Sequence, residues 1–251
     1  MRKKAFVFLA LMTALAATPA YAFEAKIDAE ADAVFKQMCA AVASLKTLAV
    51  DEDITEDKVF PNGQKLAFNK TAKIAIAKPG KLRSVTTGDA GGETVVVIDG
   101  PKFGLYKSSD NVYGELDVPP TLDASLDYIL AKLSVNAPTS DLFKDDPYAA
   151  IMPGILEATY VGDAKIGGKP CRHLAFRQLE VDWQIWVAYG DRPLPVRVVI
   201  TDKTLHGNPE YRVDFKNWKA NPQLPGNTFS YAPPKDAQKI DLIVTDDKAA
   251  D

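Results

Sequence analysis

Glu180 and Asp182 are the two carboxylates whose spacing could support general acid–base chemistry. They stand two residues apart between Gln178 and Trp183, close enough to share a proton. The pattern around them predicts a solvated hairpin turn, which offers neither the burial nor the tight like-charge contact that raises a carboxyl pKa. The pair is interpreted as a turn feature, and a hydrolase that uses Glu180, Asp182 or His173 ranks last among the functions considered.

The two histidines, His173 and His206, have no spacing typical of a metal site. Zinc needs several close Cys, His or carboxylate ligands, and neither histidine has such a partner at a helical or hairpin spacing. His173 is expected on a strand face and His206 in a loop. The sequence also lacks the nucleophile elbow, the glycine-rich phosphate loop and the two-histidine metalloprotease helix. We therefore predict no catalytic residue, no metal and no cofactor, and a protein that is not an enzyme.

The two cysteines, Cys39 and Cys171, leave two alternatives open. An oxidising compartment would permit a disulfide between them. Strand alternation, however, places Cys171 beside His173 on the face opposite Leu174 and Phe176. The alternatives are a Cys39–Cys171 bridge and two small buried thiols.

Large apolar side chains occupy both faces of a predicted strand over 183–189. Trp183 and Tyr189 share one face, and Trp186 lies on the other. One face must pack on the core. The other is either covered by helices in plain double-sided packing or opens into a ligand cavity.

Three predicted helices must position these strands. Asp28 caps an amphipathic helix that runs to about Leu45. A second helix opens at 121–123 and has Ile129 and Leu133 on its apolar face, and a third covers 147–151 with Asp146 as its cap. The second helix has no sheet of its own, so we expect it to cover one face of the strands.

The strands are predicted from short β-branched and aromatic runs between turn residues. They occupy 48–117 as successive hairpins, then 156–161, 165–166, 172–179, 183–189, 196–201, 211–218, 228–231 and 237–244. The order lacks alternating strand–helix units, which favours antiparallel pairing. The predicted fold class is α+β, with about ten or eleven strands in a large curved sheet that wraps around the helices.

Residues 1–22 have the layout of a secretory signal peptide. A basic start at 1–4 precedes an apolar run over 5–17 and the small residues of a cleavage site, which we place after Ala22. The run is shorter than the roughly 20 residues that cross a bilayer, and Phe23 stands where a lipoprotein would have cysteine. We expect a periplasmic protein without stable membrane insertion, with a single domain over 23–245 and a disordered tail over 246–251.

Charge argues against a nucleic-acid partner. The chain of 251 residues has a net charge of −3, and its basic residues are scattered. A nucleic-acid binder gathers such residues into a basic stripe.

Several motifs in the second half of the chain resemble a bacterial family of predicted periplasmic proteins with no assigned function. They are VDWQIWV at 181–187, GDRPLP at 190–195 with Arg197, VIT at 199–201, NPEY at 208–211, NW at 217–218 and FSYAPP at 229–234. More loosely, the chain is similar to the LolA/LolB lipoprotein carriers. That similarity rests on Lys78-Pro79 followed by Leu82, on Asp99-Gly100 leading to Leu105-Tyr106, and on the ending at 229–234.

The resemblance implies an unclosed β half-barrel whose helices act as a lid over an apolar cavity. Lys78 stands where the carriers have an arginine, and it is a candidate polar contact. The leading hypothesis is a non-enzymatic binding or carrier protein for a lipid, a lipoprotein acyl group or another apolar small molecule. The candidate cavity residues are Trp183, Trp186, Tyr189 and Phe176 from the sheet, and Ile129 and Leu133 from the lid helix. The alternative is a protein-interaction or envelope-stress sensing module that contacts another envelope protein.

Overall fold

Strands are the main regular element of the computed structural model, which describes residues 25–133 and 137–244. They are β1 Lys26–Ile27, β2 Thr47–Val59, β3 Lys65–Ala77, β4 Lys81–Gly88, β5 Glu93–Asp99, β6 Lys102–Lys107, β7 Val112–Asp117, β8 Glu157–Ile166, β9 Lys169–Arg177, β10 Val181–Ala188, β11 Pro195–Asp202, β12 Glu210–Ala220 and β13 Gln238–Lys239. The helices are α1 Ala29–Ala43, α2 Leu122–Lys132 and α3 Pro147–Ile151, with 3-10 turns at Ser140–Phe143 and Met152–Gly154.

The described strands join in one 13-stranded sheet, in the order β1-β8-β9-β10-β11-β12-β2-β3-β4-β5-β6-β7-β13. Neighbours are antiparallel except at the two edges, where β1 and β13 pair in parallel with β8 and β7. The edge strands do not pair with each other, so the sheet is unclosed. The predicted α+β half-barrel is confirmed. The count of 13 is slightly above the predicted ten or eleven, and the two-residue edge strand β1 was not predicted.

Each helix begins at its predicted cap. The Asp28 carboxylate accepts a hydrogen bond from the Glu30 N–H at 2.8 Å, and Asp146 accepts one at 2.9 Å from the N–H three residues on. The Thr121 hydroxyl accepts one from Ala124 at 3.4 Å. These side-chain oxygens satisfy N–H groups that lack a partner within the helix. The three predicted helices are therefore confirmed.

The helices lie on one face of the sheet, which we call the inner face. The side chains of Phe35 and Met38 on α1 are fully buried there. Phe35 contacts the rings of Phe176 and Trp183, with centroids 5.0 and 5.6 Å away. This aromatic contact fills the inner face beneath α1.

The segment after β12 departs from the prediction. Residues 228–231 form no strand, and the predicted strand 237–244 is reduced to β13. Four prolines in this segment lack the N–H that a sheet ladder requires: Pro222, Pro225, Pro233 and Pro234. Residues 228–231 are held on the outer face instead, whereas Leu242 packs against the inner core. On the outer face, the Tyr231 hydroxyl donates to the Leu105 carbonyl at 2.8 Å, and its ring covers Gly104, where a Cβ would come within 2.6 Å.

The two cysteines are free and buried. Cys39 on α1 belongs to the inner core, whereas Cys171 packs on the outer face with Ala188 and Val196. Because the sheet separates the two thiols, the candidate disulfide is wrong and the alternative of two buried thiols holds. Burial raises the pKa of Cys39 to about 12, which keeps that thiol protonated.

The predicted signal peptide over 1–22, its cleavage after Ala22 and the tail over 246–251 lie outside the described residues. The domain boundaries at 23 and 245 stay a prediction. None of the helices in the described ranges is long and apolar enough to cross a membrane.

Candidate ligand-binding cavity

A cavity of about 640 Å³ lies between strands β2–β6 and helix α2. Its volume falls within the range of small-molecule sites, roughly 300–1,000 Å³. The apolar side chains that line it come from both layers: Ile54, Ile74, Leu82, Val96, Ile98 and Phe103 from the sheet, and Leu126, Ile129 and Leu130 from α2. The cavity therefore has an apolar floor and an apolar lid.

Strand register orders the cavity from one end to the other. Leu82, Ile98 and Phe103 are cross-strand neighbours in one row. This row is next to the start of α2, where the Leu122 N–H donates to the Pro79 carbonyl at 2.6 Å. The apolar end of the cavity lies at this row.

Small and polar side chains form a second row four residues further along the strands. Glu52 pairs with Ala72, Ala72 with Thr86, and Thr86 with Thr94. All four line the cavity. We call these residues the polar row. Beyond it, the cavity reaches the exposed turn at Gly91.

Glu52 is the ionisable group buried in this row. Glu52 is only 4% exposed, and its Oε1 accepts no hydrogen bond from any of the described residues. Removal from water disfavours the charged form and raises the Glu52 pKa to about 7. Burial also raises the pKa of the adjacent Tyr211, so this phenol stays neutral at physiological pH.

The lysines that line the cavity are engaged by other groups. Lys70 forms an ion pair with Glu56, and Lys107 forms one with Asp110 at 2.6 Å. The ammonium of Lys58 lies 5.2 Å from the centre of the Phe68 ring. None of these three lysines has an ion pair with Glu52.

A smaller cavity of about 340 Å³ lies on the inner face beside Trp183. Val198 and Ile200 from β11 also line it, together with Leu142 and Ile151 from the helical segments. Thr139 lines both cavities. The segment around Thr139 therefore lies at the boundary between them.

Three of the predicted cavity residues lie on the inner face and contact a cavity or its wall. Ile129 lines the larger cavity, and Trp183 lines the smaller one. Phe176 stacks on Trp183 with centroids 4.1 Å apart and ring planes at 10°. Leu133 ends α2 and packs half-buried against the core without lining either cavity.

Trp186 does not belong to a cavity on the inner face. It lies on the outer face, stacked on His173 at 4.1 Å, and its ring is 5.8 Å from the Arg197 guanidinium. Strand alternation separates it from Trp183, so the two indoles cannot line one site. Placing Trp186 in a common cavity with Trp183 was wrong.

Tyr189 was also wrongly assigned to the cavity. It follows the end of β10 and is 44% exposed. Its hydroxyl donates to Asp163, and the Arg172 guanidinium lies 4.7 Å from its ring. These contacts place Tyr189 at the rim of the sheet, away from both cavities.

Lys78 lines neither of the two inner cavities and forms structural contacts instead. Its Nζ donates to the Lys144 carbonyl at 2.8 Å and lies 3.4 Å from an Asp145 carboxylate oxygen. The side chain is largely buried. Lys78 thus ties the turn after β3 to the segment before α3.

The residues considered for catalysis are dispersed. Asp182 is half-exposed and pairs with Lys203 at 2.8 Å, and Glu180 is exposed in the same turn. The His173 ring accepts or donates a hydrogen bond with Gln184 at 3.0 Å, and burial lowers its pKa. His206 is exposed in the turn after β11. No three metal-ligating side chains cluster in the described part of the chain.

The polar row was missed from the sequence, although a signal for Glu52 exists. Leu48, Val50, Glu52 and Ile54 alternate along β2, so Glu52 takes an inward position in an otherwise apolar set. A charged residue at such a position needs a partner or a function. Thr86 and Thr94 carry no comparable signal.

Sheet and lid together define the fold: this is an unclosed, mostly antiparallel half-barrel with a helix-covered apolar cavity. The chain belongs to the family of predicted periplasmic proteins DUF2092, whose family model matches residues 31–243. The predicted membership in such a periplasmic family is thereby confirmed. No curated protein sequence matches the chain.

Two solved structures share the fold at low sequence identity, and a third is less similar. The lipoprotein LppX of Mycobacterium tuberculosis is 13% identical, with a TM-score of 0.51 over 79% of this chain and 98% of its own. An uncharacterised conserved protein of Thermus thermophilus is 10% identical, with a TM-score of 0.50 over 84% and 99%. LprF of Mycobacterium bovis is 14% identical, with a TM-score of 0.49 over 79% and 97%.

Proposed function

We propose that this protein binds a lipid, an acyl chain or another apolar ligand in the cavity between α2 and the sheet. It would act as a periplasmic binding or carrier protein and carry out no covalent chemistry. One observation supports this most: an apolar cavity of about 640 Å³ separates the lid helix from the floor of the half-barrel. The family description as periplasmic agrees with export by a signal peptide cleaved after Ala22.

The energy for such binding would come from apolar burial. Transfer of a chain from water stabilises the complex by about 0.8 kcal/mol per methylene. The side chains of Leu126 and Ile129 on the lid and Leu82 on the floor would replace water around the chain. A long chain therefore needs few polar contacts for useful affinity, even after the entropic cost of association.

Ala72 offers a direct test because it lies on the cavity floor and is 3% exposed. We expect Ala72→Phe to fill the cavity and to weaken binding of a fluorescent fatty-acid probe at least about tenfold. Ala75→Phe is the matched control, since Ala75 is on the same strand and the opposite face. Thermal unfolding of both variants checks that each is folded.

Either of two results would overturn the proposal. The first is equal probe binding by the wild type and a folded Ala72→Phe variant. The second is the absence of binding by the wild type to any long-chain probe. A protein partner that co-purifies at stoichiometric level in the absence of lipid would support the interaction-module alternative.

A further inference from the structure

We propose that Glu52 is a head-group subsite of this cavity and binds the ammonium group of an amphiphile whose alkyl chain lies beneath α2. This inference rests on the proposed function and narrows it to ligands that carry a primary amine. It concerns the carboxylate of the polar row, whose Oε1 has no donor among the described residues.

The unpartnered carboxylate is the first reason. A buried acceptor without a donor destabilises the folded protein, and more so when it is charged. Hydrogen bonds between an ammonium and a carboxylate are among the strongest that side chains make. A ligand ammonium placed at Glu52 would satisfy Oε1 and neutralise the buried charge.

The surrounding charges favour a cation over an anion. Lys70 and Lys107 are neutralised by Glu56 and Asp110, and Lys58 lies over an aromatic ring. The charge left without a counterion in the polar row is therefore negative. An anionic head group would meet the Glu52 carboxylate. Lys70 and Lys107 are already paired with carboxylates, and Lys58 lies six residues further along β2.

The two rows of the cavity would bind different parts of the ligand, its alkyl chain and its head group. Thr86 in the polar row is four positions along β4 from Leu82 in the row of Leu82, Ile98 and Phe103, which we call the apolar row, and this separation corresponds to about 13 Å. A ligand with its chain at the apolar row would place its head group at Glu52. The Thr86 hydroxyl, which lies across the small Ala72 from Glu52 in the same row, could accept a second ammonium proton.

The test compares dodecylamine with 1-dodecanol, which have the same chain, by isothermal titration calorimetry at about pH 8. We expect the wild type to bind the amine at least about tenfold more tightly than the alcohol. Glu52→Gln should abolish this preference by weakening binding of the amine to the level of the alcohol. Asp53→Asn, which changes the next residue on the opposite face, should retain the preference.

The pH dependence of ligand binding supplies a second readout, which a purely structural role of Glu52 would not give. Glu52 is protonated in the free protein below about pH 7, so binding of the ammonium must release a proton there. Glu56 and Lys70 form their own pair nearby, and Tyr211 stays neutral. The preference for the amine should therefore grow from pH 6 to pH 8 in the wild type alone, by up to about tenfold.

The outcomes separate this inference from the proposed function. Equal affinity for amine and alcohol in the wild type would refute the head-group subsite and leave the apolar cavity as the binding site. An amine preference that persists in Glu52→Gln would also refute it. Absence of binding of either ligand to the wild type would refute the proposed function, and the subsite with it.

Discussion

Two parts of the inner face differ in how their space is filled. Beneath α1, large rings from Phe35, Phe176 and Trp183 are in mutual contact. Beneath α2, the floor has small side chains at Ala72 and Thr86, and a cavity remains. The same sheet thus has contacting aromatic rings and only the smaller cavity, of about 340 Å³, in one half, which we call the packed half, and the cavity of about 640 Å³ in the other. The volume of the side chains at a few inward positions decides whether the space beneath a helix is filled or left as a large cavity.

The largest effect is expected in the packed half. Phe35→Ala should destabilise the protein by about 4 kcal/mol, because Phe35 is fully buried and the rings around it cannot close the gap. Urea unfolding followed by tryptophan fluorescence measures this loss. A loss below about 1 kcal/mol would mean that this half is as loosely packed as the other.

The next effect concerns Glu52 and depends on pH. Its pKa in the folded protein, about 7, is above the ordinary 4.5, so the folded state binds this proton more tightly. The associated stability is present below pH 4.5 and is lost as pH rises through 7. The total is about 3 kcal/mol.

The substitution Glu52→Gln removes this pH-dependent contribution to the free energy of unfolding. The unfolding free energy of the variant minus that of the wild type should therefore rise by about 3 kcal/mol between pH 4.5 and pH 8. The titration of Glu56 and Lys70 contributes to both proteins, so its effect should largely cancel in the difference. Urea unfolding across this range provides the measurement, and a difference that does not change with pH would contradict the burial of an unpartnered carboxyl.

A smaller effect is expected at the lid. Leu126→Ala should cost about 2 kcal/mol, at the low end for a buried leucine, because Leu126 already faces a cavity. Leu174→Ala in the packed half should cost more, since Leu174 is completely buried. Equal losses in urea unfolding would remove the distinction between the two halves.

The smallest effect on ligand binding is expected at Trp186. It stacks on His173 on the outer face, so Trp186→Ala should leave affinity for a long-chain probe within about twofold. Probe titration on the folded variant checks this. A tenfold loss would show that the outer face takes part in binding.

The sequence predicted the elements well where the determining residues are local. Asp28, Thr121 and Asp146 each cap the helix that follows them, and alternation correctly separated Cys171 from the core beneath Leu174. The segment 228–231 was predicted as a strand because its composition is aromatic. Its place is instead decided by nearby prolines and by the contact of Tyr231 with Gly104, a residue distant in sequence.

The site was harder to predict than the fold. Trp186 and Tyr189 were chosen for size, whereas the face of the strand and the end of the sheet decide what lines a cavity. The larger cavity arises from the side chains of six strands, helix α2 and the 3-10 turn at 140–143 together. The inward position of Glu52 is visible in the alternation of β2, but its lack of a partner depends on residues across neighbouring strands.

The most direct test of the central claim is native mass spectrometry of the mature protein purified from its own periplasm, followed by lipid extraction. We expect a discrete adduct that yields an acyl- or alkyl-bearing molecule, and we expect Ala72→Phe purified in the same way to lack it. A wild-type protein that repeatedly gives an unliganded mass and lipid-free extracts would contradict the claim that the cavity beneath α2 binds an apolar chain.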